Sequence, residues 1–180
     1  MRPFGAERPD LLIVGLAPGM HGANATGRPF TGDYAGILLY RTLHAHGFSN
    51  RPESITLDDG LLLTGCRITN AVKCLPPQNK PTTEEVRRCN PYLRAEIDAL
   101  PKGAIILALG KIAHDAVLRA RGEKLSTCRF AHGAWHELGD YALVDSYHCS
   151  RYNTQTGRLT AKMFDDLFAR IRAALPRRTR

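Results

Sequence analysis

The sequence lacks any apolar run close to the roughly 20 residues that a membrane-spanning helix requires; DLLIVGLA and GAIILALG are its longest. Its first residues, MRPFGAERPD, have no apolar stretch of the kind that marks a signal peptide, so the cytoplasm is the expected location. The cysteines number five and no secretion signal accompanies them, which argues against a disulfide framework. Absent as well are the GK[ST] of a P-loop, the GxGxxG turn of dinucleotide-binding folds and the G-x-S-x-G elbow of serine hydrolases. No repeat, low-complexity block or Ser/Gly linker divides the 180 residues, which read as one domain over 1–180. Acids are the scarce charge: 17 Asp and Glu face 25 Lys and Arg, a formal net charge of +8. That excess favours a polyanionic partner, which is a statement about association rather than fold. The terminal PRRTR reads as a solvated basic tail that adds nonspecific phosphate attraction.

What is present is a regular alternation. Four short apolar runs, at 11–17, 67–72, 104–110 and 141–147, are continuous rather than alternating in hydrophobicity, as strands covered on both faces should be. Helical stretches separate them, at roughly 33–46, 82–100 and 111–122, and a last one covers 160–175. The second opens on Thr82 or Thr83 as an N-cap with acids in its first turn, and Pro91 is expected to kink or interrupt it. The pattern predicts an α/β fold, a three-layer α/β/α sandwich around a central, mainly parallel four-stranded sheet. Ligands in such sheets bind beyond the carboxyl ends of the strands. That rule points at Gly15–Asp33, Asn70–Lys80, the turn after Gly110, and Ser146–Arg158.

Three of these segments carry the chemistry. GLAPGMHGANATGRPFTGD (15–33) has five glycines that permit close backbone approach, interleaved with His21, Asn24, Thr26, Arg28, Phe30, Thr31 and Asp33. A loop of this length between strand and helix is more often functional than structureless. TNAVKCLPPQNKP (69–81) places Asn70 at a strand end, where its amide offers one donor and one acceptor to a base edge; the plainer reading is an Asn satisfying local backbone. SYHCSRYNTQTGRLT (146–160) sets His148 just past a strand, followed by hydroxyl, amide and guanidinium groups of the kind that clasp phosphates. Alone, His148 would more often be structural.

Taken together, the three segments resemble the uracil-DNA glycosylase superfamily, specifically its family-five (UDG-B type) branch. The first is similar to that branch's motif one, the second to its ITNAV(K/R)C(x)PP(x)NKP stretch, and the third to its SYHxSxxNTxTGRLT motif two. The likeness runs from about residue 10 to 175. It implies a DNA glycosylase of base-excision repair, hydrolysing the N-glycosidic bond of uracil, and of hypoxanthine or other deaminated bases, to leave an abasic site. Its expected partner is uracil-containing DNA, single- or double-stranded, bound by a monomer. Leu16 and Ala17 stand where other branches carry a water-positioning acid or amide. Cleavage is therefore expected to run through a dissociative, oxocarbenium-like state needing leaving-group stabilisation and a negative field. The resemblance makes Asp33 and His148 the catalytic pair, Asp33 for the sugar cation and His148 for the pyrimidine O2. It assigns Gly15, Ala17, Phe30 and Asn70 to the flipped base, with Phe30 stacking and Asn70 reading the Watson–Crick edge. His21, Asn24, Ser150, Asn153, Thr154 and Arg158 would hold the kinked DNA.

The departures are specific. Ala25 replaces a common Arg, Cys149 replaces a usual Pro or Val, and Asp145 puts an acid just before Ser146. The branch also implies a 4Fe-4S cluster on four cysteines, two of them a CxxC pair upstream of motif one. This chain has no CxxC; Cys74 and Cys89 match the other two ligand positions, an incomplete set. The retained pair favours a domain lacking an upstream CxxC segment over one that dispenses with the metal, and Cys66, Cys128 and Cys149 read as ordinary thiols. A noncatalytic damaged-DNA or single-strand-binding module on the same fold is the main alternative, and the presence of Asp33, Asn70 and His148 argues against it. A thiol hydrolase using His148 and Cys149 is disfavoured because neighbours at an extended strand end point to opposite sides.

Overall fold

The computed structural model describes residues 1–176, apart from the side chain of Asn79; the end of the basic tail, 177–180, lies outside the described residues. The four apolar runs form β2 (Leu11–Gly15), β3 (Cys66–Asn70), β4 (Ile105–Leu109) and β6 (Tyr141–Ser146). They pair in parallel in the order β3-β2-β4-β6. The sheet has six strands rather than the expected four, because β1 (Phe4–Gly5) and β5 (Trp135–Leu138) add to its two edges, each antiparallel. Both are too short to show an apolar run of their own.

Alternate residues of each strand feed two cores. Leu11, Ile13, Ile68, Ile105, Leu107 and Val144 pack with Leu39 and Leu43 of α2 (Tyr34–Ala45) and with Phe164, Leu167, Phe168 and Ile171 of α6 (Ala161–Ala174). Leu12, Val14, Ile106 and Leu143 face the other way, onto Val86, Leu93 and Ile97 of α3 (Thr83–Asp98) and Val117 of α4 (Lys111–Ala120). This is the expected three-layer sandwich, with both sheet faces covered. Two short helices, α1 (Ala23–Thr26) and α5 (Arg151–Gln155), lie within the loops that carry motif one and motif two.

Helix α3 runs through Pro91 as one element, so of the expected kink or interruption the interruption does not occur. A full capping box fixes its start: the Thr82 hydroxyl accepts from the Glu85 N–H, and the Glu85 carboxylate accepts from the Thr82 N–H at 2.7 Å. Leu93 and Ile97, past the proline, are fully buried, and Asn90 donates to the Ala116 carbonyl of α4 at 2.8 Å. Packing thus offsets the donor that Pro91 lacks. Among the described residues no helix is long and apolar enough to cross a membrane.

Candidate active site

The strand order places the carboxyl ends of β2 and β3 side by side, with Gly15 directly opposite Asn70. A cavity of about 290 Å³ opens just beyond them, large enough for one nucleobase. Its walls include Ala17, Phe30, Asp33, Asn70, His148 and Ser150, drawn from the three segments that the sequence singles out. Leu16, Tyr34 and Arg151 also line it.

The glycines of motif one are there to let these side chains in. A Cβ on Gly15 would lie 2.5 Å from Asn70 Oδ1 and 2.7 Å from Phe30 Cζ. One on Gly22 would lie 2.0 Å from Asp33 Oδ1, and one on Gly19 2.6 Å from the same atom. Gly15 therefore lies beneath Asn70 and Phe30, buried in β2, rather than on the cavity wall. A Cβ on Gly36 would come within 1.9 Å of the Phe30 carbonyl, so α2 also presses on this loop. Phe30 itself has φ +58°, a left-handed conformation that costs a non-glycine residue about 1 kcal/mol or more. It is held there by its neighbours: Tyr40 donates to the Pro29 carbonyl at 2.7 Å. The nearly buried Arg28 donates to Ser54 at 3.0 Å and Asp59 at 2.8 Å. Against the upward push of burial, Arg28 and the N–H groups of Ile55, Leu61 and Thr56 hold the Asp59 carboxyl well below its ordinary value. The strained turn lays the Phe30 ring near that of His148, 5.9 Å apart and 28° from parallel.

Three polar groups face the cavity with capacity unspent. Asn70 is 2% exposed, and its Oδ1 is buried without a hydrogen-bond partner among the described residues, a condition rare enough to need an explanation. Asp33 accepts one backbone hydrogen bond, from Ala23 N at 3.1 Å. Burial pushes its pKa up, opposed by that one bond. Burial also lowers the pKa of His148 to about 4, so the imidazole is neutral near pH 7. Asn153 Nδ2 donates to the His148 carbonyl at 2.8 Å and so fixes the turn that carries the ring.

The remaining expected residues divide. His21 and Asn24 are exposed at the rim of motif one. Ser150 caps α5, and Thr154 Oγ1 donates to the carbonyls of Ser150 and Arg151 at 3.1 Å each. The side-chain donors of Asn153 and Thr154 are thus engaged inside the turn rather than turned outward. Arg158 lies over the Tyr147 ring at 4.7 Å and lines a second cavity, about 300 Å³, on the other side of His148. Tyr34 was not among the expected residues. It is 41% exposed, stacks against Arg151 at 4.9 Å, and borders both the base-sized cavity and a larger one of about 560 Å³. Only its position after Asp33 could have signalled it.

Cys149 is fully buried and its thiol is pushed up to about 12 by burial, so it is no nucleophile beside His148. Asp145 does not face the cavity mouth: it is 0% exposed and bonded to His114 and His136. Cys74 is exposed and Cys89 part-buried, its sulfur accepting from Lys73 N at 3.4 Å. Among the described residues the one cluster of three metal-type ligands is elsewhere, and Cys74 and Cys89 supply two of the four thiolates that a four-iron cluster takes.

The model of the uracil DNA glycosylase superfamily matches residues 2–172. A type-5 uracil-DNA glycosylase of Thermus thermophilus is 51% identical over 162 residues, covering 89% of this chain and 74% of that protein. One from Pyrobaculum aerophilum is 42% identical over 171 residues, 95% of this chain and 74% of its own length. One from Mycobacterium tuberculosis is 46% identical over 168 residues, 92% of this chain and 63% of its own length. The chain belongs to the uracil DNA glycosylase superfamily.

Proposed function

We propose that this protein is a monofunctional uracil-DNA glycosylase of base-excision repair, which flips a deaminated base into the 290 Å³ cavity and hydrolyses its N-glycosidic bond. The observation that carries the reading is the orphaned acceptor of Asn70 beside Asp33 and the neutral His148. An unpartnered carbonyl oxygen selects a ring N–H. Uracil offers one at N3 and hypoxanthine at N1, whereas cytosine presents a lone pair at N3 and would leave two acceptors facing each other. Phe30 supplies the stacking surface.

As the C1′–N bond breaks, its electron pair passes to the base, and His148 donates a hydrogen bond to O2. A neutral imidazole suits that task, because it adds no positive charge beside the forming oxocarbenium. Asp33 supplies the negative field for that cation and orients the water whose oxygen adds to C1′. The proton that the water loses goes by way of solvent to the departing base anion, so an abasic sugar and a neutral free base result. Uracil is the expected best substrate and hypoxanthine a weaker one, in either single- or double-stranded DNA. We assign phosphate contact to the exposed His21 and Asn24, with Ser150 and Arg158, and an indirect role to Asn153 and Thr154 through the turn they brace. We take the protein to work as a monomer, and its five free cysteines suit a reducing cytoplasm. A four-iron cluster at Cys74 and Cys89 would need two further thiolates, and no step depends on it.

The test is cleavage of a labelled duplex and the matching single strand carrying U, hypoxanthine or no lesion, scored after alkaline treatment. Abasic sites at U, fewer at hypoxanthine and none at cytosine are expected. Tight, lesion-selective binding without any cleavage would instead establish a noncatalytic damage-binding module.

A further inference from the structure

We propose that His114, His136 and Asp145 form a binding site for a divalent metal ion of the zinc class, separate from the base cavity. The three come from α4, β5 and β6, and their candidate ligand atoms all lie within 4.8 Å of one another. Asp145 alternates with Leu143 and so points to the α3/α4 face, while Gly15 alternates with Leu11 and Ile13 on the α2/α6 face. Two imidazoles and a carboxylate are a ligand set that zinc-type ions favour.

The hydrogen bonding of His114 carries the inference. Its Nδ1 lies 2.7 Å from Asp145 Oδ1 and its Nε2 lies 3.1 Å from the Cys128 carbonyl oxygen. Both partners are acceptors, yet a neutral imidazole has only one N–H. In a pocket where His114 and Asp145 are both 0% exposed, three arrangements resolve this. The ring carries both hydrogens, the Asp145 carboxyl carries one and donates it to Nδ1, or the Nδ1 lone pair is given to a cation while Nε2–H donates to the carbonyl. The last is the one that metal-bound histidines adopt, with the distal N–H held by a backbone carbonyl that fixes the tautomer. His136 points Nε2 at Asp145 Oδ2 from the other side, at 3.1 Å.

An ion would enter by opening the direct contacts. Tetrahedral ligands at zinc bond lengths sit about 3.3 Å apart, so the 2.7 Å contact of His114 with Asp145 Oδ1 and the 3.1 Å contact of His136 with Oδ2 must widen, while the candidate ligand atoms already lie within 4.8 Å of one another. Access is available on one side. β5 is the edge strand and the His136 side chain is 17% exposed, leaving room for entry and for a water as fourth ligand. The Phe130 ring, edge-on to His114 at 5.6 Å, closes another side.

The experiment uses the full chain carrying Cys74→Ser and Cys89→Ser, which removes two thiolates that would take up soft metals elsewhere. The metal-stripped protein is titrated with Co²⁺ followed by Zn²⁺, with metal content measured after dialysis and Tm recorded at each step. Expected are one Co²⁺ per chain with the intense visible absorption of a tetrahedral site, its displacement by Zn²⁺, and a higher Tm with either ion. His136→Gln should abolish uptake while the protein stays folded, since that side chain is partly exposed; Asp145→Asn should abolish it too. A folded protein that takes up no stoichiometric metal, or a His136→Gln variant that takes up as much as its parent, would overturn the proposal. Neither result bears on uracil cleavage.

Discussion

Asp145 is fully buried and Asp33 half-buried, and they are supported in opposite ways. Asp145 is 0% exposed with two histidines on its two oxygens. Asp33 is part-buried with one backbone N–H and no ion pair among the described residues. Burial raises the pKa of Asp33, and one hydrogen bond only partly opposes it. A carboxylate whose charge is spent on neighbours holds structure together. One held by two glycines at the edge of a cavity keeps its field for something that arrives later. The difference shows why an acid in a sequence cannot be assigned from its type alone.

The comparison can be broken by exchanging effects. Asp145→Asn removes a buried charge and strands two imidazoles, which should cost about 3–5 kcal/mol and lower Tm by roughly 10 °C. The cleavage rate of the surviving folded fraction should stay near that of the parent, as thermal melts and single-turnover assays would show. Asp33→Asn should do the reverse. It relieves a desolvated carboxylate, so Tm should hold or rise, while the single-turnover rate falls a hundredfold to a thousandfold, about 3–4 kcal/mol. DNA affinity should hardly change. A stable Asp145→Asn together with a fast Asp33→Asn would invert the assignment of the two groups.

Gly22→Ala sharpens the same point. The new Cβ would sit 2.0 Å from Asp33 Oδ1, so the carboxylate must move although no charge is altered. The rate should fall most of the way to that of Asp33→Asn, and Gly27→Ala, whose Cβ would meet nothing within 4 Å, serves as the control. Gly27 has φ +78°, so that control carries backbone strain but no clash with the site. Equal losses from the two variants would mean that loop strain, not displacement of Asp33, sets the rate.

The parallel strands and packed helices were legible because each is an apolar run or an amphipathic stripe long enough to show its period. β1 and β5 were not: two residues of one and four of the other, WHEL with mixed exposure, carry no periodicity. Phe30, Asp33, Asn70 and His148 were legible as candidates because their motifs are long and distinctive. What escaped was direction. Asn153 and Thr154 look like phosphate ligands in the sequence, and only the folded turn shows their donors directed onto the His148 and Ser150 carbonyls. The Arg28–Asp59 pair and the His114–Asp145 contact each join residues 31 apart in the chain, a separation no local pattern records.

The acid limb of stability and activity tests His148. Burial sets its folded pKa at about 4 against 6.5 unfolded, so between those values the unfolded chain binds the extra proton. Stability from this group is therefore fully present above pH 6.5 and declines as pH falls toward 4, by at most about 3 kcal/mol. Cleavage should show no inflection near pH 6.5, since the imidazole is already neutral there. His148→Gln should flatten part of the acid decline in Tm. An activity step at pH 6.5 that disappears in this variant would mean that the ring is protonated in the working enzyme.

The smallest expected effect is at Arg158, and it separates binding from chemistry. Its guanidinium lies over the Tyr147 ring at 4.7 Å, and it is exposed beside the cavity on the far side of His148. A contact to phosphate carries no information about the base and is made equally in the ground and transition states. Arg158→Ala should thus weaken binding of U, hypoxanthine and undamaged duplexes by the same factor. It should also lower the slope of log K against log salt by about 0.9, one phosphate's worth of released counterion. Single-turnover cleavage at saturating enzyme should be unchanged. Asn70→Ala gives the opposing pattern, with discrimination between uracil and cytosine falling together with rate while the salt slope stays put. If Arg158→Ala changes lesion preference instead, the residue reads the flipped nucleotide through His148 and Tyr147, and the boundary between the clasp and the base site must be redrawn to include it.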